Sequence, residues 1–176
     1  MNTGQTVLTI LAIVLLGINV TSTNKTYMQH GIIIQQTEIG LFGISLATSL
    51  IEEAQGKAFD RNSTLDALTD ASQLTPTDSL GAEPGEEHAD YNDFDDYNWM
   101  KGGSTNDNTV VKCDTIKIPD VDTFVRWSKV CYVDTTDVEK YVSHRTWNKK
   151  LTVYVKGANS PDTLQMSYVF SYWSFR

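Results

Sequence analysis

Residues 7–20 read VLTILAIVLLGINV, and no charged side chain occurs in the first 24 residues. How this stretch is buried decides the fold. Three readings compete. A secretory signal peptide has a comparable apolar run, but no Lys or Arg precedes this one, so the positively charged n-region is missing. A membrane span needs about 20 apolar residues. The run falls just short, even with its uncharged flanks Gln5, Thr6, Thr21 and Ser22. The third reading is a helix that sits first in a membrane and is later buried among copies of itself. Thr, Gln and Gly on such a helix suit close helix–helix contact.

The downstream residues support the third reading. Residues 17–26, GINVTSTNKT, are poor helix formers, so the helix is expected to be stretched or broken over 18–26. A second helical pattern runs from Tyr27 to Phe59. Its apolar positions Ile32, Ile39, Phe42, Leu46, Ala47, Leu50, Ala54 and Ala58 recur at helical spacing, and Glu52, Glu53 and Lys57 fall off that stripe. Residues 1–59 therefore form one near-continuous helix of about 80 Å. Its half 1–26 is apolar on all sides and its half 27–59 is amphipathic. The rest of the chain is too small to cover both. Val7, Leu8, Ile10, Leu11, Ile13, Val14, Leu15 and Leu16 are expected to form an assembly core with partners outside the chain. Gly40 and Gly43 fall within the helix, where they permit close packing or bending.

The chain has 176 residues and a net charge of −8, which argues against a nucleic-acid partner. The charge is unevenly spread: about −1 over 1–59, −10 over 60–107 and +3 over 108–176. The acidic middle, 60–107, is rich in Pro, Gly, Ser, Thr and Asp and reads as a long loop with a short helix near 64–72. Within it, Asp93, Asp95 and Asp96 offer hard oxygen ligands for Ca²⁺. Their spacing is not that of an EF-hand loop, since it lacks the Gly at the sixth position and the Glu at the twelfth. The favoured alternative is a loop pinned to the domain by Tyr91, Phe94, Tyr97 and Trp99. No other cofactor is expected.

From residue 109 the hydrophobic period changes to two. Residues 109–118, 123–133, 150–156 and 163–175 read as four strands, with a turn at Pro119–Asp122 and a hairpin turn at Gly157–Asp162. Leu151, Val153 and Val155 share one face of the third strand, and Leu164, Met166, Tyr168, Phe170 and Tyr172 alternate along the fourth. A four-stranded antiparallel sheet with one apolar face needs a cover. The helix at 27–59 is the amphipathic element available. The fold class is α+β: a long N-terminal helix packed by its C-terminal half on a four-stranded antiparallel sheet over 108–176. Cys113 and Cys131 fall on the first two strands. For an exported protein they read as a disulfide, which would contribute about 3 kcal/mol, or otherwise as two buried thiols.

Four segments resemble type IV pilins and pilin-like proteins, the minor pilins and pseudopilins. Leu46-Ala-Thr-Ser-Leu-Ile-Glu-Glu-Ala-Gln-Gly-Lys-Ala-Phe-Asp60 resembles the end of the first helix in those families. Asp93-Phe-Asp-Asp-Tyr-Asn98 resembles the acidic loop that follows it. Cys131-Tyr-Val-Asp134 and Lys150-Leu-Thr-Val-Tyr-Val155 resemble strand segments. The resemblance implies a subunit held first in the inner membrane and then polymerised, with apolar helices in the filament core and sheets outside. The family's leader ends in Gly, and a Glu occupies the fifth mature position. If Gly4 ends a leader, Thr9 replaces that Glu. If Met1 is the mature start, Gln5 stands in its place as an uncharged isostere. The second register, or no cleavage at all, is expected. In either register the carboxylate that would pair with a terminal amine is missing, leaving Gln5 to make an amide hydrogen bond.

The expected function is a structural subunit of an extracellular, type IV pilus-like filament. Its partners would be itself and the inner-membrane assembly machinery. The alternatives are a secretion-type pseudopilin or low-copy tip subunit, and a monomeric membrane-anchored binding protein. Catalysis is not expected. His30, His88 and His144 lie in separate segments without nucleophile or metal-ligand spacing, and there is no glycine-rich phosphate loop. Asn19, Asn24 and Asn62 open sequons, which carry little weight under the bacterial origin that the resemblance implies.

Overall fold

The computed structural model describes residues 2–64, 67–100 and 109–175. The order of elements is a helix α1 (Thr3–Gln55), a series of 3₁₀ turns, and four strands: β1 (Asp114–Ile118), β2 (Asp122–Tyr132), β3 (Asn148–Gly157) and β4 (Thr163–Ser171). The strands pair antiparallel in the order β1-β2-β3-β4. The chain is therefore an α+β fold, with a long N-terminal helix packing against a four-stranded antiparallel sheet. It divides into two compact units, residues 1–38 and residues 39–176.

In the second unit, period-two burial sets the sheet. Phe124, Val130 and Tyr132 of β2 and Leu151, Val153 and Val155 of β3 are all buried, and the apolar residues of β4 alternate with exposed polar ones. Onto this face packs the stripe Ile39, Gly43, Ala47, Leu50, Ile51 and Ala54 of α1. Gly43 brings helix and sheet close: a Cβ there would lie 3.6 Å from Leu164 Cδ2 and 3.9 Å from Val155 Cγ1. Arg126, on the core face of β2, donates from Nη1 to the Leu46 carbonyl of α1 at 2.9 Å and from Nη2 to Asp114 Oδ2 at 2.9 Å. The β1–β2 turn is closed by Asp120 in the left-handed region (φ 64°). At the end of β3, Gly157 is closely crowded, since a Cβ would meet Asp122 Oδ2 at 2.6 Å and Ile39 Cγ2 at 3.1 Å.

The expected break over 18–26 is absent: α1 is one unbroken α-helix. Intrinsic propensity is a weak prior, and here the hydroxyls find partners within the helix. Thr21 Oγ1 donates to the carbonyls of Gly17 and Ile18, Thr23 Oγ1 to Asn19, and Thr26 Oγ1 to Ser22, at 2.8–3.0 Å. Each hydroxyl is satisfied without leaving helical geometry, so the Thr run costs only its modest side-chain entropy.

At its other end α1 stops at Gln55, short of Phe59. The backbone leaves the helix to pair Ala58 with the loop, accepting from Phe94 N–H at 2.9 Å and donating to Asn92 O at 3.2 Å. The short helix expected near 64–72 lies partly outside the described residues. On either side of 65–66 the chain instead forms single 3₁₀ turns, Arg61–Ser63 and Ala71–Gln73, each with an aspartate N-cap and capping box.

Candidate functional site

Two features stand out: an uncovered apolar surface in the first unit and a buried polar cluster in the second. Val7, Leu8, Ile10, Leu11, Ile13, Val14, Leu15 and Leu16 are each more than half exposed, on every side of α1. Apart from half-buried Thr6, residues 2–38 are all exposed, Gln5 among them. Scattered exposed apolar residues are ordinary, but a continuous uncharged cylinder of them is not. Among the described residues, α1 is the one helix long and apolar enough to cross a membrane, as an anchor or a signal would.

The buried cluster is built where the acidic loop meets the end of α1 and β3. Lys149 of β3 is fully buried, and its Nζ donates to Asp95 Oδ1 at 2.6 Å, Asp60 Oδ2 at 2.8 Å and the Phe59 carbonyl at 2.8 Å. The ammonium also lies 4.7 Å from the Phe59 ring centroid. Asp60 accepts further bonds from Thr75 N–H, Thr75 Oγ1 and Asn62 N–H. Burial alone would raise the Asp60 carboxyl. The Lys149 charge and these hydrogen bonds outweigh it and hold the carboxyl below its usual range. Lys149 is raised for the matching reason: its two carboxylates outweigh its burial.

The structure does not gather the three candidate calcium ligands into one set: among the described residues Asp96 converges with Glu83 and Glu86 instead, and Asp93 and Asp95 are engaged within the protein. Asp93 Oδ1 accepts from the N–H groups of Asp95 and Asp96, while Asp95 pairs with Lys149. Asp96 Oδ2 accepts from Asn92 N–H and Asp93 N–H at 2.9 and 3.0 Å. Burial, together with the neighbouring Asp95 charge, pushes the Asp93 carboxyl up to about 9.

The aromatic anchor is plain in the structure. Tyr91, Phe94, Tyr97 and Trp99 are all buried, Phe94 edge-on to Phe170 at 5.0 Å. Hydrogen bonds finish the attachment: Tyr97 OH to Glu53 Oε1, Ser128 Oγ to the Tyr97 carbonyl, and Val130 N–H to Asn98 Oδ1. Lys149 and Asp60 were not expected to take part. The available signal was parity, since Lys149 has the same alternation as Leu151, Val153 and Val155 and so falls on the core face.

Nearby, Glu83, Glu86 and Asp96 converge on one another. Burial and a hydrogen bond with Glu86 raise the Glu83 carboxyl to about 7.

The disulfide expected between Cys113 and Cys131 is not formed; both are free thiols, Cys113 exposed and Cys131 buried. The register explains this. Asp114 pairs with Arg126 across β1–β2, whereas Cys131 lies five residues further along β2 and faces Lys150 of β3. At about 3.3 Å per residue the two cysteines are more than 10 Å apart, beyond disulfide reach. Burial pushes the Cys131 thiol up to about 11.

The histidines occupy three separate places. His30 is exposed on α1, His144 is exposed between β2 and β3, and His88 packs edge-on against Tyr91 with Nε2 3.3 Å from Glu53 Oε1.

No protein-family model, curated protein or solved structure matches this chain.

Proposed function

We propose that this chain is a structural subunit of an extracellular helical filament of the type IV pilus kind. It would be held in the inner membrane before assembly and polymerise through residues 7–20. The observation that carries the reading is the uncovered apolar cylinder Val7–Leu16, in a stretch without charge. Keeping eight such side chains out of water is worth on the order of 10 kcal/mol per subunit, which holds the bundle together once it has left the bilayer, and the Thr and Gly residues along the same helix allow the close approach on which packing within the membrane depends. The arrangement of a long helix followed by a four-stranded antiparallel sheet is compatible with a pilin-like subunit. Gln5 would supply an uncharged polar contact at the start of the packed segment.

The test is the material itself. The native chain should form helical fibres visible by electron microscopy. Leu15→Asp should abolish them while the sheet unit keeps its near-ultraviolet circular dichroism. Fibres of normal yield from Leu15→Asp would overturn the proposal. Sparse copies at fibre tips would point instead to a pseudopilin or tip role. A membrane-bound monomer with no fibres would point to an anchored binding protein.

A further inference from the structure

Lys149 accounts for Asp60 and Asp95, but it leaves a second group of carboxylates on the same loop without matching positive charge. A carboxylate oxygen from each of Glu83, Glu86 and Asp96 lies within 4.8 Å of the other two. Glu83 and Glu86 are half-buried, and Asp96 is only 1% exposed. Among the described residues, the one cation paired with this trio is Arg61, whose Nη1 lies 2.8 Å from Glu83 Oε1.

The two chain segments are fixed before any ligand arrives. Gly85, in the left-handed region at φ 91°, turns the chain between Glu83 and Glu86, and Glu86 N–H donates to the Glu83 carbonyl at 3.0 Å. Glu83 N–H donates to Glu86 Oε2 at 3.0 Å, and Asn92 Nδ2 donates to Glu86 Oε1 at 3.1 Å.

Asp96 shows what is missing. Its Oδ2 is used by two backbone N–H groups, while its Oδ1 is buried and has no hydrogen-bond donor among the described residues. A buried carboxylate oxygen without a partner is costly, and such groups are rare in native structures. An oxygen-seeking cation among these three side chains would relieve their mutual repulsion, and one that coordinates Asp96 through Oδ1 would also satisfy that oxygen.

The geometry points to a binding site for one divalent cation, of the Ca²⁺ type, formed by Glu83, Glu86 and Asp96. Ca²⁺ accepts six to eight oxygens in flexible geometry, so three carboxylates, mono- or bidentate, with water completing the shell, are suitable ligands. Mg²⁺ demands a near-ideal octahedron and gives up water reluctantly, so an irregular, partly exposed trio favours the larger ion. The bound ion would tie the 83–86 turn to the 92–96 loop, which in turn carries Tyr97, Asn98 and Trp99 onto β2. The inference does not rest on filament formation, because the ion binds within a single chain.

The experiment uses the full chain in detergent micelles, stripped with chelator and titrated with CaCl₂ alone. Calorimetry should give one ion per chain, saturating between about 10⁻⁵ and 10⁻³ M, with a rise in the unfolding temperature. Glu86→Gln, which keeps the shape and one of the two acceptor oxygens, should weaken binding about tenfold or more, and Glu83→Gln combined with it should abolish binding. Tb³⁺ added to the native chain should show emission sensitised by the nearby aromatic residues and displaced by Ca²⁺, a readout that needs no variant to fold. Absence of saturable Ca²⁺ binding up to about 10 mM would overturn the inference. So would undiminished binding in a folded Glu83→Gln/Glu86→Gln variant.

Discussion

The two ends of α1 are written for different neighbours. From Ile39 to Gln55 the helix alternates a buried stripe of Ile39, Ala47, Leu50, Ile51 and Ala54 with exposed positions such as Leu41, Ser45 and Glu52. From Val7 to Leu16 there is no alternation, because every side is apolar and every side is exposed. An amphipathic stripe identifies a partner on one side, here the chain's own sheet. A helix apolar all round needs cover on all sides, which a bilayer or a bundle of like helices provides. The difference separates residues that the chain covers with its own sheet from residues whose apolar surface it leaves uncovered.

The comparison is broken most severely at Lys149. Replacing it with Met removes the ammonium and leaves Asp60 and Asp95 buried and facing each other without a cation. Loss of one partner from a buried ion pair costs about 3–5 kcal/mol. Urea denaturation of the full chain in detergent, followed by tryptophan fluorescence, should show the sheet unit destabilised by that amount. The helicity of the apolar segment should be retained. A loss below about 1 kcal/mol would mean that the triad does not secure the loop.

A matched pair of leucines sharpens the contrast. Leu50 is completely buried against the sheet, whereas Leu15 is 63% exposed. Leu50→Ala should cost about 2–5 kcal/mol of the sheet unit's stability, and Leu15→Ala less than about 0.5 kcal/mol in the detergent-solubilised chain. Equal costs would erase the distinction between the two ends of α1.

Much of this division was legible in the sequence, because it depends on periodicity. The strands, the helix stripe and the apolar run all announce themselves by spacing, and the aromatic anchors by their interleaving with aspartates. Three features were not legible, each for a physical reason. The unbroken helix through Thr21–Thr26 depends on side chains bonding back to the preceding turn, which propensity scales average away. The separation of Cys113 from Cys131 depends on register, and a hairpin's register is set by its turn rather than by the positions of its cysteines. The Lys149–Asp60–Asp95 triad joins residues from three distant segments. Only the parity of Lys149 on β3 hinted that a charge lay on the core face, and nothing local named its partners.

Asp60 provides a smaller and more finely resolved break between the two regions. Its carboxylate is held below its ordinary 3.8, since the Lys149 charge and hydrogen bonds from Lys149, Thr75 and Asn62 outweigh the cost of burial. A carboxyl lowered on folding contributes stability that is present above its unfolded value and lost as the pH falls through its folded one. The native sheet unit should therefore lose stability on acidification below about pH 4. Asp60→Asn keeps the shape but offers one acceptor oxygen where the carboxylate offers two, and it carries no charge for Lys149. At pH 7 it should cost about 1.5–3 kcal/mol, the range for a hydrogen bond to a charged group. It should cost less than Lys149→Met, because Asp95 remains beside the ammonium. The gap between native and variant should then narrow as the pH is lowered towards 2, where the native carboxylate is itself being protonated. Over the same acid range the helicity of residues 3–24 should stay constant, since no charged side chain occurs there. A gap that is independent of pH would show that Asp60 acts through shape alone and not through its charge.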